Sequence, residues 1–233
     1  MELLLPECRL LFHVKHDAEP IVNLAVAGGR EPAAAWLREA ALGRRLYCAD
    51  RGAAYCLKAG LSPTLLVGDC DSADKIFYEQ AEALGAQVFV HPPAKDDTDL
   101  QMLLAQLPAG DLLATGIFGG RFDHLFSNVY SLLAFKKKRG CRVILADEQE
   151  LLLLLTDEEK IKINFKNNFD VQALSLLSLS DSCRVTISGA AWPLNEALLT
   201  QARPYAVSNM PTAQEVECSC LSGSVGLYIH WQK

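Results

Sequence analysis

Short apolar runs alternate with amphipathic segments over the first 146 residues of the chain. A short apolar run favours a buried strand, whereas apolar positions that recur with the helical period favour a helix. The predicted strands are residues 21–26, 45–49, 64–67, 87–90, 111–115 and 142–146. The predicted helices are residues 32–42, 52–59, 73–84, 97–107 and 122–139. This alternation predicts an α/β domain with a parallel, Rossmann-like sheet that helices cover on both faces.

The pattern changes after about residue 147. Short β-like runs follow at residues 151–155, 161–165, 171–177, 183–187, 205–207, 215–220 and 225–231, with one short helix predicted at 195–199. They predict an all-β, sandwich-like domain. We therefore expect an α/β domain of residues 1–147 and a β domain of residues 148–233. The N-terminal sequence MELLLPECRLLF predicts a strand or an N-terminal arm rather than a signal peptide.

The amino-acid composition and the net charge limit the classes of protein to which the chain can belong. Half of the 233 residues are apolar, as in an ordinary globular protein, and the net charge of -6 argues against a nucleic-acid-binding surface. No apolar run approaches the roughly 20 residues that span a bilayer. Eight cysteines without a CxxC pair predict reduced thiols in a cytoplasmic protein. Cys218 and Cys220 share a face of a predicted strand, but no second pair completes a zinc site.

The sharpest polar cluster is the segment Val67-Gly68-Asp69-Cys70-Asp71-Ser72, which follows a predicted strand. Ligands bind beyond the carboxyl ends of the strands in parallel sheets, and two carboxylates at this spacing can converge on one hard cation such as Mg²⁺. Ser72 is a plausible helix N-cap whose free N–H groups suit an anion. The alternative is a capped surface turn, in which Asp and Ser are common.

A second cluster, Lys95-Asp96-Asp97-Thr98-Asp99, opens a predicted helix. Its carboxylates repel one another unless a cation or the helix N-terminus offsets their charge, and Lys95 can reach a phosphate. Simple helix capping is the alternative. Together, Asp69, Asp71 and Asp99 predict a magnesium–phosphate site in a metal-dependent enzyme that acts on a nucleotide.

Further turns of the same kind follow other predicted strands. Gly119-Gly120 permits close backbone approach to a ligand, and Arg121 offers a planar donor for phosphate. Asp123, His124 and Asn128 lie at the start of the next helix. The segments Gly28-Gly29 and Ala49-Asp50-Arg51-Gly52 complete the set. Because all these turns fall at one edge of the predicted sheet, a shared site explains them better than separate turns do.

The motifs together resemble the thiamine pyrophosphokinase family. The resemblance rests on Ala-Asp-x-Gly-Ala at 49–53, Gly-Asp-x-Asp-Ser at 68–72, Lys-Asp-x-Thr-Asp at 95–99 and Gly-Gly-Arg-x-Asp-His at 119–124. Ser208-Asn209 and the segment 189–194 resemble later motifs of that family. The resemblance implies a Mg²⁺-dependent, kinase-type transferase that moves diphosphate from ATP to thiamine, giving thiamine diphosphate and AMP. It also implies a cytoplasmic homodimer with sites at the subunit interface, without nucleic acid or membrane partners.

The resemblance also implies roles for particular residues. Asp69, Asp71 and Asp99 would hold magnesium, with Asp50 beside them as a further catalytic carboxylate. The ATP- and phosphate-binding residues would be Lys95, Thr98, Arg121, Asp123, His124 and Asn128. Trp192 would stack on thiamine, whose cationic ring suits an aromatic face. Ser208 and Asn209 would bind its pyrimidine.

The sequence departs from the family pattern in a few places. Arg51 stands where a second Gly is usual, which either tightens or obstructs nucleotide binding. Cys70 replaces Phe, Ala190-Ala191 replaces Leu-Lys, and Met210 replaces an acid. Two alternatives therefore stay open: a diphosphokinase or nucleotide hydrolase with a different substrate, and a non-catalytic regulator that binds thiamine or a nucleotide.

Overall fold

The computed structural model describes residues 2–13, 22–70, 75–92, 94, 96–166 and 170–232. Asp71, Ser72 and Lys95, which the sequence assigns to the site, lie outside the described residues. The strands are β1 (Glu2–Leu4), β2 (Cys8–His13), β3 (Asn23–Val26), β4 (Arg45–Ala49), β5 (Leu65–Gly68), β6 (Gln87–Val90), β7 (Leu112–Thr115), β8 (Val143–Ala146), β9 (Glu150–Thr156), β10 (Glu159–Phe165), β11 (Asp170–Ser178), β12 (Ser182–Ser188), β13 (Leu194–Thr200), β14 (Glu215–Ser222) and β15 (Ser224–Gln232). The helices are α1 (Ala34–Ala41), α2 (Gly52–Lys58), α3 (Lys75–Ala83), α4 (Asp99–Gln106) and α5 (Phe122–Arg139).

Strands β3 to β8 pair in parallel, in the order β8-β7-β3-β4-β5-β6, which confirms the predicted α/β fold. Every residue of β3, β5, β7 and β8 is buried, as expected for strands that are covered on both faces. β3 pairs with β4 on one side and with β7 on the other, so the strand order reverses between β3 and β7. A reversal of this kind opens a crevice at the carboxyl ends of the two strands.

The predicted elements of this unit are present with small shifts at their ends. β4, β6 and α5 have the predicted bounds. α4 begins at residue 99 rather than at 97, because Thr98 and Gln101 form a capping box that fixes the start of the helix. The predicted beginning of α3, at residue 73, lies outside the described residues.

The two N-terminal strands group with the residues after 147 rather than with the α/β unit, which comprises residues 21–147. β2 pairs antiparallel with β10, with Leu10 opposite Ile163. Cys8, Leu10 and Phe12 alternate with exposed or half-buried residues and are themselves buried. The partition therefore differs at the N-terminus from the predicted domain of residues 1–147, because this apolar face is used by the β unit.

The β unit consists of antiparallel strands in two groups. One has the order β1-β2-β10-β14-β12-β13, and the other is β11-β15-β9. β14 and β12 pack against β9 and β15, which places buried side chains such as Ile161, Val216 and Leu227 between the two groups. The β-rich, sandwich-like prediction for this part of the chain is confirmed.

Two predictions in the β unit are wrong. Residues 195–199 form part of strand β13 rather than a helix, because their backbone pairs with β12 and so short a segment does not hold a helix by itself. Residues 205–207 form no regular strand. They run beside β11, where the Leu176 N–H donates to the Ala206 carbonyl at 2.7 Å.

None of the helices in the described parts of the chain combines the length and the apolarity needed to cross a membrane. All eight cysteines are free thiols. Six of them are buried, and Cys70 and Cys141 are half-buried.

Candidate active site

The α/β unit contains a cavity of about 370 Å³ at the carboxyl edge of its sheet. Small-molecule sites in proteins have volumes of this order. Its walls come from the turns after β3, β4 and β7 and from the first turns of α4 and α5. The lining residues are Ala27, Gly28, Gly29, Ala49, Asp50, Arg51, Thr98, Asp99, Leu100, Ile117, Gly119, Gly120, Arg121, His124 and Asn128.

The turns after β3 and β7 are joined by backbone hydrogen bonds. The N–H groups of Ala27, Gly29 and Arg30 donate to the carbonyls of Thr115, Gly116 and Phe118 at 2.9, 2.7 and 2.7 Å. A Cβ atom at Gly29 would lie 2.5 Å from the Gly116 carbonyl oxygen, so only glycine allows this approach. The crevice predicted by the strand order is therefore bounded by two fixed, glycine-rich turns.

Asp50 occupies the turn after β4 in a left-handed conformation, with φ of 50°. Its N–H donates to the Val67 carbonyl at 2.8 Å, and its carbonyl accepts from Ala53 at 3.2 Å. α2 starts so close to β3 that a Cβ atom at Gly52 would lie 2.0 Å from the Val26 oxygen. This close packing holds Asp50 in the wall of the cavity.

Asp99 is the first residue of α4, where the helix N-terminus favours a negative charge. The preceding Thr98 accepts the Gln101 N–H at its side-chain oxygen, at 3.3 Å, and Gln101 accepts the Thr98 N–H at 2.8 Å. Both Thr98 and Asp99 line the cavity, as the sequence predicts. The capping box fixes the start of α4 and with it the position of the Asp99 backbone.

Arg121 lines the cavity, but its guanidinium is already engaged. Its Nε donates to Asp123 Oδ1 at 3.1 Å, and a terminal nitrogen donates to the other oxygen. The Arg121 hydrogen bond is the main cause that lowers the pKa of Asp123, with help from the His124 N–H. Asp123 itself is not among the lining residues, whereas His124 and Asn128, one helical turn apart, are.

The predicted metal ligands are only partly represented among the described residues. Asp69 directly follows β5 and is half-buried, but it does not line the cavity. Asp71 lies outside the described residues, and no group of three or more His, Cys, Asp or Glu side chains with metal-binding geometry occurs within them. Asp50 and Asp99 do line one cavity.

The charges of Asp50 and Asp99 both affect the pKa of the Tyr78 phenol. Burial is the main cause that raises the pKa of this phenol, and the charges of Asp50 and Asp99 raise it further. Asp50 and Asp99 also line one cavity, where two carboxylates repel each other and a hard divalent cation would offset the repulsion. The donor set therefore fits magnesium.

The β unit contains a second cavity, of about 510 Å³, lined by Leu174, Leu176, Trp192, Leu194, Tyr205, Ala206, Val207, Ser208 and Asn209. All three residues that the sequence assigns to thiamine are among them. Trp192 is 65% exposed, so its ring face is accessible to a ligand. The sequence did not predict a role for Leu174, Leu176 or Tyr205, although the alternation along β11 places the two leucines on one face.

Asn209 is only 8% exposed, and its side chain helps to fix the backbone that forms the wall of this second cavity. Its Oδ1 accepts the Trp192 and Met210 N–H groups at 3.0 and 2.9 Å, and its Nδ2 donates to the Trp192 carbonyl at 2.8 Å. The side chain thus holds the backbone of Trp192 in place. Ser208 is left-handed, with φ of 57°, and its N–H donates to Ser175 at 3.1 Å.

Two family models match the chain in separate regions. Residues 42–145 match the catalytic domain of thiamin pyrophosphokinase, and residues 160–225 match its vitamin B1 binding domain. The first match contains most residues that line the cavity of Asp50 and Asp99, called the acidic cavity below. The second contains all residues that line the cavity of Trp192, called the aromatic cavity.

Similar proteins carry the same family name. A thiamine pyrophosphokinase of Bacillus subtilis is 27% identical over 164 residues, which is 69% of this chain and 75% of that protein. Thiamine pyrophosphokinase 1 of Arabidopsis thaliana is 24% identical over 173 residues, covering 70% of this chain and 64% of the plant protein.

Solved structures share the fold. The thiamine pyrophosphokinase structure from Bacillus subtilis superposes with a TM-score of 0.75 and 24% identity, covering 92% of this chain and 100% of that one. The thiamin pyrophosphokinase structure from Candida albicans gives a TM-score of 0.76 at 14% identity, covering 96% and 99%.

Proposed function

This chain belongs to the thiamine pyrophosphokinase family, and we propose that it transfers the terminal diphosphate of ATP to the hydroxyl group of thiamine. The products are thiamine diphosphate and AMP. The observation that carries the proposal is the cavity shared by Asp50 and Asp99, which lies between fixed glycine-rich turns. The second, aromatic cavity supports thiamine as the acceptor.

Asp69 and Asp99, with Asp71 from the sequence, would hold magnesium, and Asp50 would stand beside them. Bound magnesium supplies positive charge that offsets the triphosphate. Asp99 contributes its carboxylate from a capped helix start, and Asp50 from a constrained turn. Such transfer depends on positioning and charge neutralisation: the rigid carboxylates would position the magnesium, and the magnesium would neutralise charge on the phosphates.

Arg51 is the cation that we assign to the phosphates. It lines the cavity and forms no ion pair or side-chain hydrogen bond with the described residues. Arg121, in contrast, is bound to Asp123. A guanidinium without a carboxylate partner binds phosphate at a lower cost. The guanidinium of Arg51, unpaired among the described residues, therefore supports the view that this arginine tightens nucleotide binding rather than obstructing it. Lys95, His124 and Asn128 complete the nucleotide side of the proposal.

For thiamine, we assign the ring contact to Trp192, whose accessible aromatic face suits a cationic thiazolium. Ser208 would contact the pyrimidine, and Asn209 would keep the Trp192 turn in shape. The homodimer with sites at the subunit interface and the cytoplasmic location that the resemblance implies belong to this proposal.

The test is an assay of AMP formation by the purified full chain, with ATP and Mg²⁺, in the presence and absence of thiamine. Thiamine-dependent AMP formation that stops when EDTA removes the metal is the expected result. AMP formation with a pterin alcohol but not with thiamine would establish a different acceptor. Nucleotide consumption without any acceptor would establish a hydrolase, and nucleotide binding without turnover would establish a regulator.

A matched pair of variants tests the carboxylate assignment. Asp99→Asn should reduce the rate by roughly 100-fold or more, because it removes a carboxylate that would hold the magnesium on the phosphates. Asp97→Asn, two residues before the start of α4 and outside the cavity lining, should keep a near-normal rate. Equal rates for the two variants would reject the assignment of Asp99.

A further inference from the structure

Tyr78 on α3 carries a buried hydroxyl group without an ordinary hydrogen bond. The residue is 3% exposed, and its hydroxyl oxygen has no hydrogen-bond partner of normal geometry among the residues that the structure describes. A buried hydroxyl in this condition is unfavourable and is rare in folded proteins. Its environment therefore needs an explanation.

The hydroxyl lies against the turn that carries the predicted metal ligands. A Cβ atom at Gly68 would lie 1.9 Å from the Tyr78 hydroxyl oxygen and 3.2 Å from the Asp50 Cα. Gly68 is the last residue of β5 and directly precedes Asp69. The absence of a side chain at position 68 thus lets the phenol reach the junction between the ends of β4 and β5.

Two non-glycine residues at this junction have left-handed backbones. Asp50 has φ of 50° and Cys70 has φ of 52°. Such conformations cost free energy in residues other than glycine, and they persist where the surrounding structure fixes them, often at functional sites. Both residues interact electrostatically with the Tyr78 phenol. The hydroxyl therefore lies beside the constrained turn of Asp50 and against Gly68, two residues before Cys70.

The phenol is a hydrogen-bond donor that faces negative charge. Burial, and then the charge of Asp50, raise its pKa, and Asp99 raises it further, so the proton stays on the oxygen at neutral pH. The O–H group is thus available to a carboxylate.

We propose that Tyr78 is a positioning residue whose hydroxyl donates a hydrogen bond to the Asp50 carboxylate when a magnesium–nucleotide complex fills the cavity. The bond would satisfy the buried hydroxyl and fix the direction of a carboxylate whose backbone is already constrained. The inference deepens the proposed function and rests on it. Tyr78 itself acts through Asp50 and is not among the residues that line the cavity.

The test compares wild type with Tyr78→Phe, which removes only the hydroxyl. Calorimetry with Mg²⁺ and α,β-methylene ATP measures binding without turnover, because the bond broken in the reaction lies between the α and β phosphorus atoms. We expect the variant to bind roughly ten-fold more weakly, the effect of one lost hydrogen bond to a charged group. Without ligand, its melting temperature should equal or exceed that of wild type, because an unpaired buried hydroxyl is removed.

Tyr228→Phe is the matched control. The Tyr228 hydroxyl donates to Glu150 at 2.6 Å within the β unit, and Tyr228 is not among the residues that line the nucleotide cavity. This variant should lose melting temperature and keep the nucleotide affinity of wild type. The two tyrosines should therefore respond in opposite ways.

A double-mutant cycle that combines Tyr78→Phe with Asp50→Gly tests whether Asp50 accepts the Tyr78 hydrogen bond. Glycine accepts the left-handed conformation and removes the carboxylate. Adding Tyr78→Phe to Asp50→Gly should not weaken binding further. If the two effects instead add, or if Tyr78→Phe lowers the melting temperature or binds like wild type, the inference is wrong while the proposed function stands. If wild type binds no nucleotide with Mg²⁺, both fail.

Discussion

The guanidinium of Arg30 donates two hydrogen bonds to one carboxylate oxygen of Asp147, at 3.0 Å from Nε and 2.6 Å from a terminal nitrogen. Asp147 is fully buried. Arg30 belongs to the turn after β3, and its own N–H donates to the Phe118 carbonyl in the turn after β7. The pair therefore links both walls of the acidic cavity to the end of β8.

Arg30→Ala should destabilise the protein by about 3 kcal/mol, because a buried carboxylate loses its guanidinium. Chemical denaturation measures the change. Arg9→Ala removes an ion pair with Glu2 that is largely exposed, and should cost less than about 1 kcal/mol. Similar losses for the two variants would contradict the structural role of the Arg30–Asp147 pair.

Arg51→Ala should raise the KM for ATP by roughly ten-fold, because it removes a cation from the phosphate cavity. The KM should also become less sensitive to salt. Steady-state kinetics at two ionic strengths measures both effects. Arg38→Ala, which removes an arginine outside the cavity lining, is the control. A lower KM for ATP in Arg51→Ala would show that Arg51 obstructs the site instead.

Trp192→Ala should raise the KM for thiamine by at least about ten-fold while the KM for ATP stays unchanged, because an accessible aromatic face is lost. Thermal stability should change little, since the side chain is 65% exposed. Leu198→Ala removes another exposed apolar side chain of the β unit, outside the cavity lining, and should leave both constants unchanged. Equal effects on the two KM values would contradict a specific thiamine contact.

Cys70 should be the first cysteine to react with iodoacetamide at pH 8, and Mg²⁺ with ATP should protect it. Six cysteines are buried, and Cys141 is half-buried like Cys70. Burial raises the pKa of Cys141 to about 11, so little thiolate forms there at pH 8, and more forms as the pH rises toward 11. Peptide mapping by mass spectrometry measures the order. Modification of Cys141 before Cys70, or a lack of protection, would contradict the prediction.

Local patterns determined much of the fold. The elements β4, β6 and α5 match their predicted bounds because the pattern of apolar residues and a terminal glycine such as Gly140 are encoded within a few residues. The helix predicted at residues 195–199 was wrong because pairing with β12 overrides a weak helical preference. The grouping of β1 and β2 with the β unit also depends on pairing with β10, which no local pattern encodes.

The sequence by itself determined that acidic and glycine turns follow successive parallel strands, because chain direction places those strand ends at one edge. It thereby predicted that Asp50, Asp99, Arg121, His124 and Asn128 belong to one site, and all five line one cavity. Only the tertiary structure decided how each side chain is used, because hydrogen-bond partners are set by distances between segments remote in sequence. Arg121 turned out to be paired, Arg51 to line the cavity without such a pair, and Tyr78 to reach the junction beneath Gly68.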